Sequence, residues 1–201
     1  QRLRRILRAF VLSKPCIGYC QAMNYVALFL LRTTKYQEHE AFQLLLTLAE
    51  QVVPGYWVPD MVGVQVDMQV LHKAVDIFLP DLSDHMRDIR MPLDLFAIQW
   101  LVSLFSYALP PPSLCRIWDW LFLDGPSVLV SVTLAIMRRA ESGLLGLYDL
   151  QDCAELLLNT ARNWRDADEL VDMAYEEKIR MDLTSMDLLR NDRLQVINMT
   201  N

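Results

Sequence analysis

Residues 15–31 read PCIGYCQAMNYVALFLL. Proline and glycine within four positions force a turn, and a very apolar segment follows directly. Gln21 to Thr33 is apolar on nearly every side at helical spacing, which predicts a buried helix. The turn ahead of it presents Gly18, Tyr19, Cys20 and Gln21. A tyrosine and a glutamine therefore stand at the mouth of a core helix, where an exposed polar group gains a rigid mount.

The same helical period extends in both directions. Leu3, Ile6, Leu7, Phe10 and Val11 share one side of a helix that Pro15 ends, with arginines opposite. Further helices are expected over Glu38–Val53, Val66–Leu79 and Ser83–Ile89, with GYWVPDMVG as an irregular aromatic loop. The run LDLFAIQWLVSLFSYAL predicts one long buried helix. Ser113 is a plausible N-cap for LCRIWDWLFL, and Asp124-Gly125-Pro126 a stop. Val128–Glu141, Leu150–Thr160 and Ala167–Arg180 complete the array, with Asp149 and Asp152 as helix-start acids. Strand-like alternation is weak throughout. The expected class is all-α, nine or ten helices without a sheet, in subdomains 1–79 and 80–201.

The 201 residues are 53% hydrophobic, enough for a substantial core. With 19 basic and 25 acidic residues the net charge is −6, which disfavours a dedicated nucleic-acid binder. Residues 1–35 nevertheless hold seven cations, among them Arg2, Arg5 and Arg32, and no acid. Such an end suits a phosphate-bearing or acidic partner, or simply forms a solvated helix face. Cys16, Cys20, Cys115 and Cys153 have no metal spacing, and no HExxH is present, so a reduced, cytoplasmic protein without metal is expected. No apolar run approaches the roughly 18 residues of a membrane span. The chain opens inside a helical pattern without an initiator Met, as a piece of a longer protein would.

Neither a serine-hydrolase elbow nor a phosphate-binding glycine loop is present. Cys20 as a nucleophile is outweighed by its expected burial. Glutamine is no acid or base near neutral pH, but its amide can orient a water and donate to developing negative charge. From these residues alone, Gln21 is either such a group or a cap of the following helix.

IGYCQAMNYVALFLL, PGYWVPDMVGVQVDMQVL, FAIQWLVSLFSYALP with CRIWDWLFLDG, and DADELVDMAYE occur in an order that resembles the TBC domain, the catalytic domain of Rab GTPase-activating proteins. The resemblance covers about residues 3–182. It implies a V-shaped all-helical domain of two helical parts, active in vesicle trafficking and recruited peripherally to endomembranes through other regions. It implies a Rab-family small GTPase as partner, with GTP and Mg²⁺ bound by that partner and no cofactor of the domain's own. Gln21 matches the glutamine finger, with Gly18, Tyr19 and Asn24 supporting its loop. Arg116 and Asp119 match the later signature and are expected as a buried or half-buried pair bracing the finger region. Ala22 stands where the family usually has glycine, which is tolerable if the backbone there avoids positive φ. The family's arginine finger lies in an upstream Ile-x-x-Asp-x-x-Arg motif that the 17 residues before Gly18 do not contain. Such an arginine contributes about 10³ to 10⁵ in rate, roughly 4 to 7 kcal/mol of barrier. Two readings therefore stand: a GTPase activator whose arginine comes from upstream, or a non-catalytic Rab-binding module. A generic helical interaction domain is the third.

Overall fold

Proline and glycine punctuation divides the chain largely where the sequence places it. The computed structural model describes residues 1–183 in ten α-helices, with no strand among the described residues. They are α1 (Arg2–Ser13), α2 (Met23–Thr33), α3 (Glu38–Thr47), α4 (Val62–Phe78), α5 (Pro80–Asp88), α6 (Asp94–Val102), α7 (Pro111–Asp124), α8 (Ser127–Leu144), α9 (Leu150–Asn163) and α10 (Ala167–Leu183). The expected tail beyond Leu183 lies outside the described residues. No described helix is long and apolar enough to cross a membrane.

α8 explains the core. Every residue from Ser127 to Met137 is buried, and the helix is covered by α4, α6, α7, α9 and α10. A helix apolar on all sides can be accommodated only by neighbours on all sides. α1, α2 and α3 pack on one another at the other end of the chain. Buried side chains from Ile6 to Met181 join into one cluster. Two buried carboxylates interrupt it among the described residues, Asp67, which accepts from the Tyr56 hydroxyl, and Glu177. Glu177, 2% exposed, accepts from Arg138, which also donates to the Phe78 carbonyl at 3.1 Å. The bond to Glu177 holds the guanidinium of Arg138 charged, against the opposing effect of its burial.

α3 reaches about its expected end by running on through a π-helical turn, Leu48–Val52, before Pro54 stops it. Other boundaries differ from expectation. The run 93–109 is not one helix. α6 ends at Val102, and Leu104 and Phe105 take positive φ of 49° and 60°. The bend persists because its carbonyls are claimed from outside: Trp57 Nε1 donates to Val102 O and Trp118 Nε1 to Leu104 O, each at 2.9 Å. Ser113 is no cap. α7 begins earlier, on Pro111, and the buried Ser113 hydroxyl donates to Trp164 O at 2.7 Å. Asp149 is a cap as expected, its carboxylate accepting from the backbone of Gln151 and Asp152.

Candidate functional site: an exposed glutamine beside a groove

The turn between α1 and α2 is shaped by two left-handed residues. Gly18 has φ +70° and open space where a Cβ would stand. Ala22 has φ +83°, occupies the N-cap position of α2 and is buried. The condition attached to alanine at this position is thus not met: the backbone does require positive φ, a conformation that costs a non-glycine residue about 1 to 2 kcal/mol. Between them the Cys20 N–H donates to Met23 Sδ at 3.2 Å, and Met23 is fully buried. The Tyr19 hydroxyl reaches Asn24 Oδ1 at 3.4 Å across the first turn of α2.

Anchored at both ends, the turn directs Gln21 outward. Gln21 is exposed, and its amide makes no hydrogen bond among the described residues. The cap position belongs to Ala22, and no side chain caps α2. The capping alternative for Gln21 therefore has no geometric support. Cys20 is half-buried, and burial raises its thiol above the ordinary range, so it stays protonated and a poor nucleophile.

Gln21 stands on a groove of about 450 Å³. It is lined by Ala22 and Tyr25, by Met61, and by Leu95, Ile98 and Gln99 of α6. Asp94 adds a carboxylate to the α6 side, with His72 Nε2 3.5 Å from it. Two side-chain amides line the groove, Gln21 from the turn and Gln99 from α6. The arrangement suits orienting a water or a charged oxygen rather than moving protons.

Met61, Leu95 and Ile98 were not among the expected site residues. They lie some 40 to 77 positions beyond Gln21, and no local pattern joins them to it. The outward placing of Tyr25 had a weak signal, since positions 21, 25, 28 and 32 follow one side of a helix. α2 is accordingly not buried all round: Tyr25 is 40% exposed.

Two further expectations are corrected. Arg116 and Asp119 do not form a buried brace. Both are exposed, and Arg116 pairs instead with Asp168 of α10 at 3.0 Å. α10 packs along α7, so a carboxylate from another helix reaches Arg116. The brace between α7 and α2 is aromatic: Trp118 meets Phe29 edge-on at 4.8 Å. The basic cluster of the first helix is also partly spent. Arg2 and Arg5 both pair with Glu38 at the start of α3, and Arg5 holds that carboxylate below the usual range. A separate apolar trough of about 480 Å³ lies on α1, between Leu3, Leu7, Val11, Leu12 and Tyr19.

Comparison with known proteins places the fold. Residues 1–145 match the model of the Rab-GTPase-TBC domain. Growth hormone-regulated TBC protein 1-A of Danio rerio is 28% identical over 192 residues, 94% of this chain and 54% of that protein. The crystal structure of the Chlamydomonas flagellar RabGAP TBC domain superposes with a TM-score of 0.79 at 30% identity, covering 87% of this chain and 58% of that one. The Ypt/Rab-GAP domain of Gyp1p shares the fold, with a TM-score of 0.81 at 20% identity over 91% of this chain and 66% of that one. The chain thus spans little more than half the length of the Danio rerio relative. On the family match over most of its length, the chain belongs to the Rab-GTPase-TBC domain family.

Proposed function

We propose that this domain activates a Rab-family small GTPase by supplying Gln21 in trans. The observation that carries the reading is the free, outward amide of Gln21 on a turn fixed at both ends, beside an open groove. The partner brings GTP and Mg²⁺. The Gln21 carbonyl accepts from the attacking water and its NH₂ donates toward the γ-phosphoryl oxygens. Water adds to the γ-phosphorus, the bond to the β–γ bridging oxygen breaks, and GDP and phosphate leave. Such catalysis is positioning and charge stabilisation. The resemblance implies an arginine that completes the pair, and residues 1–17 hold no Ile-x-x-Asp-x-x-Arg motif to supply it. The domain works in the cytoplasm, at membranes reached through other parts of its protein.

The test is single-turnover GTP hydrolysis across a Rab panel, using the protein at its full natural length. Gln21→Ala is expected to lower the stimulated rate by about 10² or more, with an unchanged melting temperature. Binding without stimulation by the wild-type protein would instead make it a Rab-binding module.

A further inference from the structure

The outward side of α2 continues past the groove. Tyr25 lines the groove and also a second cavity, of about 240 Å³, further along the helix. Leu28, Phe29 and Arg32 follow at one and two turns, and Tyr107 faces them from the segment between α6 and α7. The rings of Tyr25 and Tyr107 meet edge-on at 5.4 Å. Arg162 of α9 lies over Tyr107, 5.2 Å from the ring centre, and donates to its hydroxyl at 3.1 Å. Gln21 therefore heads a strip with an aromatic middle and two arginines at its far end.

Arg32 and Arg162 are exposed. Among the described residues those arginines, like Arg4, Arg8, Arg90 and Arg165, have no carboxylate partner; what sets them apart is the aromatic surface beside them that continues from Gln21. Arg2 and Arg5, from the same basic third as Arg32, are neutralised by Glu38. Positive charge left without an internal partner, next to half-exposed aromatic surface, is complementary to an acidic and apolar surface from another molecule.

We propose that this strip is the docking surface for a segment of the GTPase that combines carboxylates with an apolar side chain. The inference rests on the finger reading of Gln21: a partner whose nucleotide reaches that amide lies over the start of α2 and extends along it. The apolar contact at Tyr25, Phe29 and Tyr107 supplies burial, and Arg32 and Arg162 fix direction and register, so that the distance from the arginines to Gln21 sets where the nucleotide falls. Arg32 and Arg162 are positioning residues; they act through the placement of the partner.

The test is equilibrium association of the 201-residue chain with Rab GTPases carrying a non-hydrolysable GTP analogue, at low and at physiological salt, beside the hydrolysis assay. Arg32→Glu and Arg162→Glu should each weaken association about tenfold at low salt and flatten its salt dependence. Melting curves confirm the fold, since both side chains are exposed. Charge reversals that leave affinity and salt dependence intact, for a GTPase whose hydrolysis responds to Gln21→Ala, overturn the docking strip and spare the finger. Affinity lost on charge reversal, with hydrolysis indifferent to Gln21, upholds the strip and removes the finger. Absence of association with every GTPase overturns both.

Discussion

Two segments of this chain are built from nearly the same parts and do opposite things. Gly18-Tyr19-Cys20 leads through Gln21 and Ala22 into α2, and Gly55-Tyr56-Trp57 leads through a longer loop into α4. Each follows a proline by one or three residues, and each has its glycine at positive φ. Each helix is entered from a non-glycine residue at positive φ, Ala22 or Met61. Yet Tyr19 is 54% exposed and Tyr56 is fully buried. The difference lies in what waits beneath. Tyr56 meets the buried carboxylate of Asp67, Trp57 finds the Val102 carbonyl, and Gly63 lets the loop backbone come close. A Cβ at Gly63 would stand 2.6 Å from Pro54 O. Among the described residues no such partner meets the Gln21 amide. One turn is spent on the fold, and the other is left facing outward.

The sharpest break of that comparison is a matched pair of substitutions. Tyr56→Ala should cost about 3 to 5 kcal/mol in urea unfolding, as for other buried aromatics, and it also strips Asp67 of a donor. Tyr19→Ala should stay within about 0.5 kcal/mol. Equal losses would mean that the finger turn is also core. A smaller effect sharpens the contrast from the other side. Ala22→Gly relieves the left-handed strain and should stabilise the domain by about 1 kcal/mol, raising the melting temperature by about 2 to 4 °C. A fall would show that the buried methyl group outweighs the strain. The smallest effect is expected at Arg116. Arg116→Ala removes an exposed pair and should change stability by less than about 1 kcal/mol. A double-mutant cycle with Asp168 that returned several kcal/mol would restore Arg116 to a structural role.

The helices were largely legible because their apolar period is strong and proline or glycine closes most of them. Gln21 was legible only as a polar group at the mouth of α2, either an outward amide or a cap, and the structure exposes it. What escaped depended on distant partners. The run 93–109 looks like one helix because its residues are uniformly apolar, and only Trp57 and Trp118, drawn from other segments, make the bend at Leu104 and Phe105 tolerable. Arg116 and Asp119 sit three apart, a spacing at which a helix would pair them, but Asp168 arrives from another helix. The left-handed backbone at Ala22 is invisible in an alanine; a glycine there would have announced it.

The isolation of Gln21 has an evolutionary side. Its amide bonds to nothing among the described residues, so their folding exerts no purifying pressure on it. Replacement would leave a sound protein with altered chemistry. If Gln21 acts as proposed, a lineage could shed catalysis in a single step while keeping the scaffold. Descent from a common fold then says nothing about which descendants still hydrolyse, and selection can hold a glutamine at this position only through what happens outside the domain.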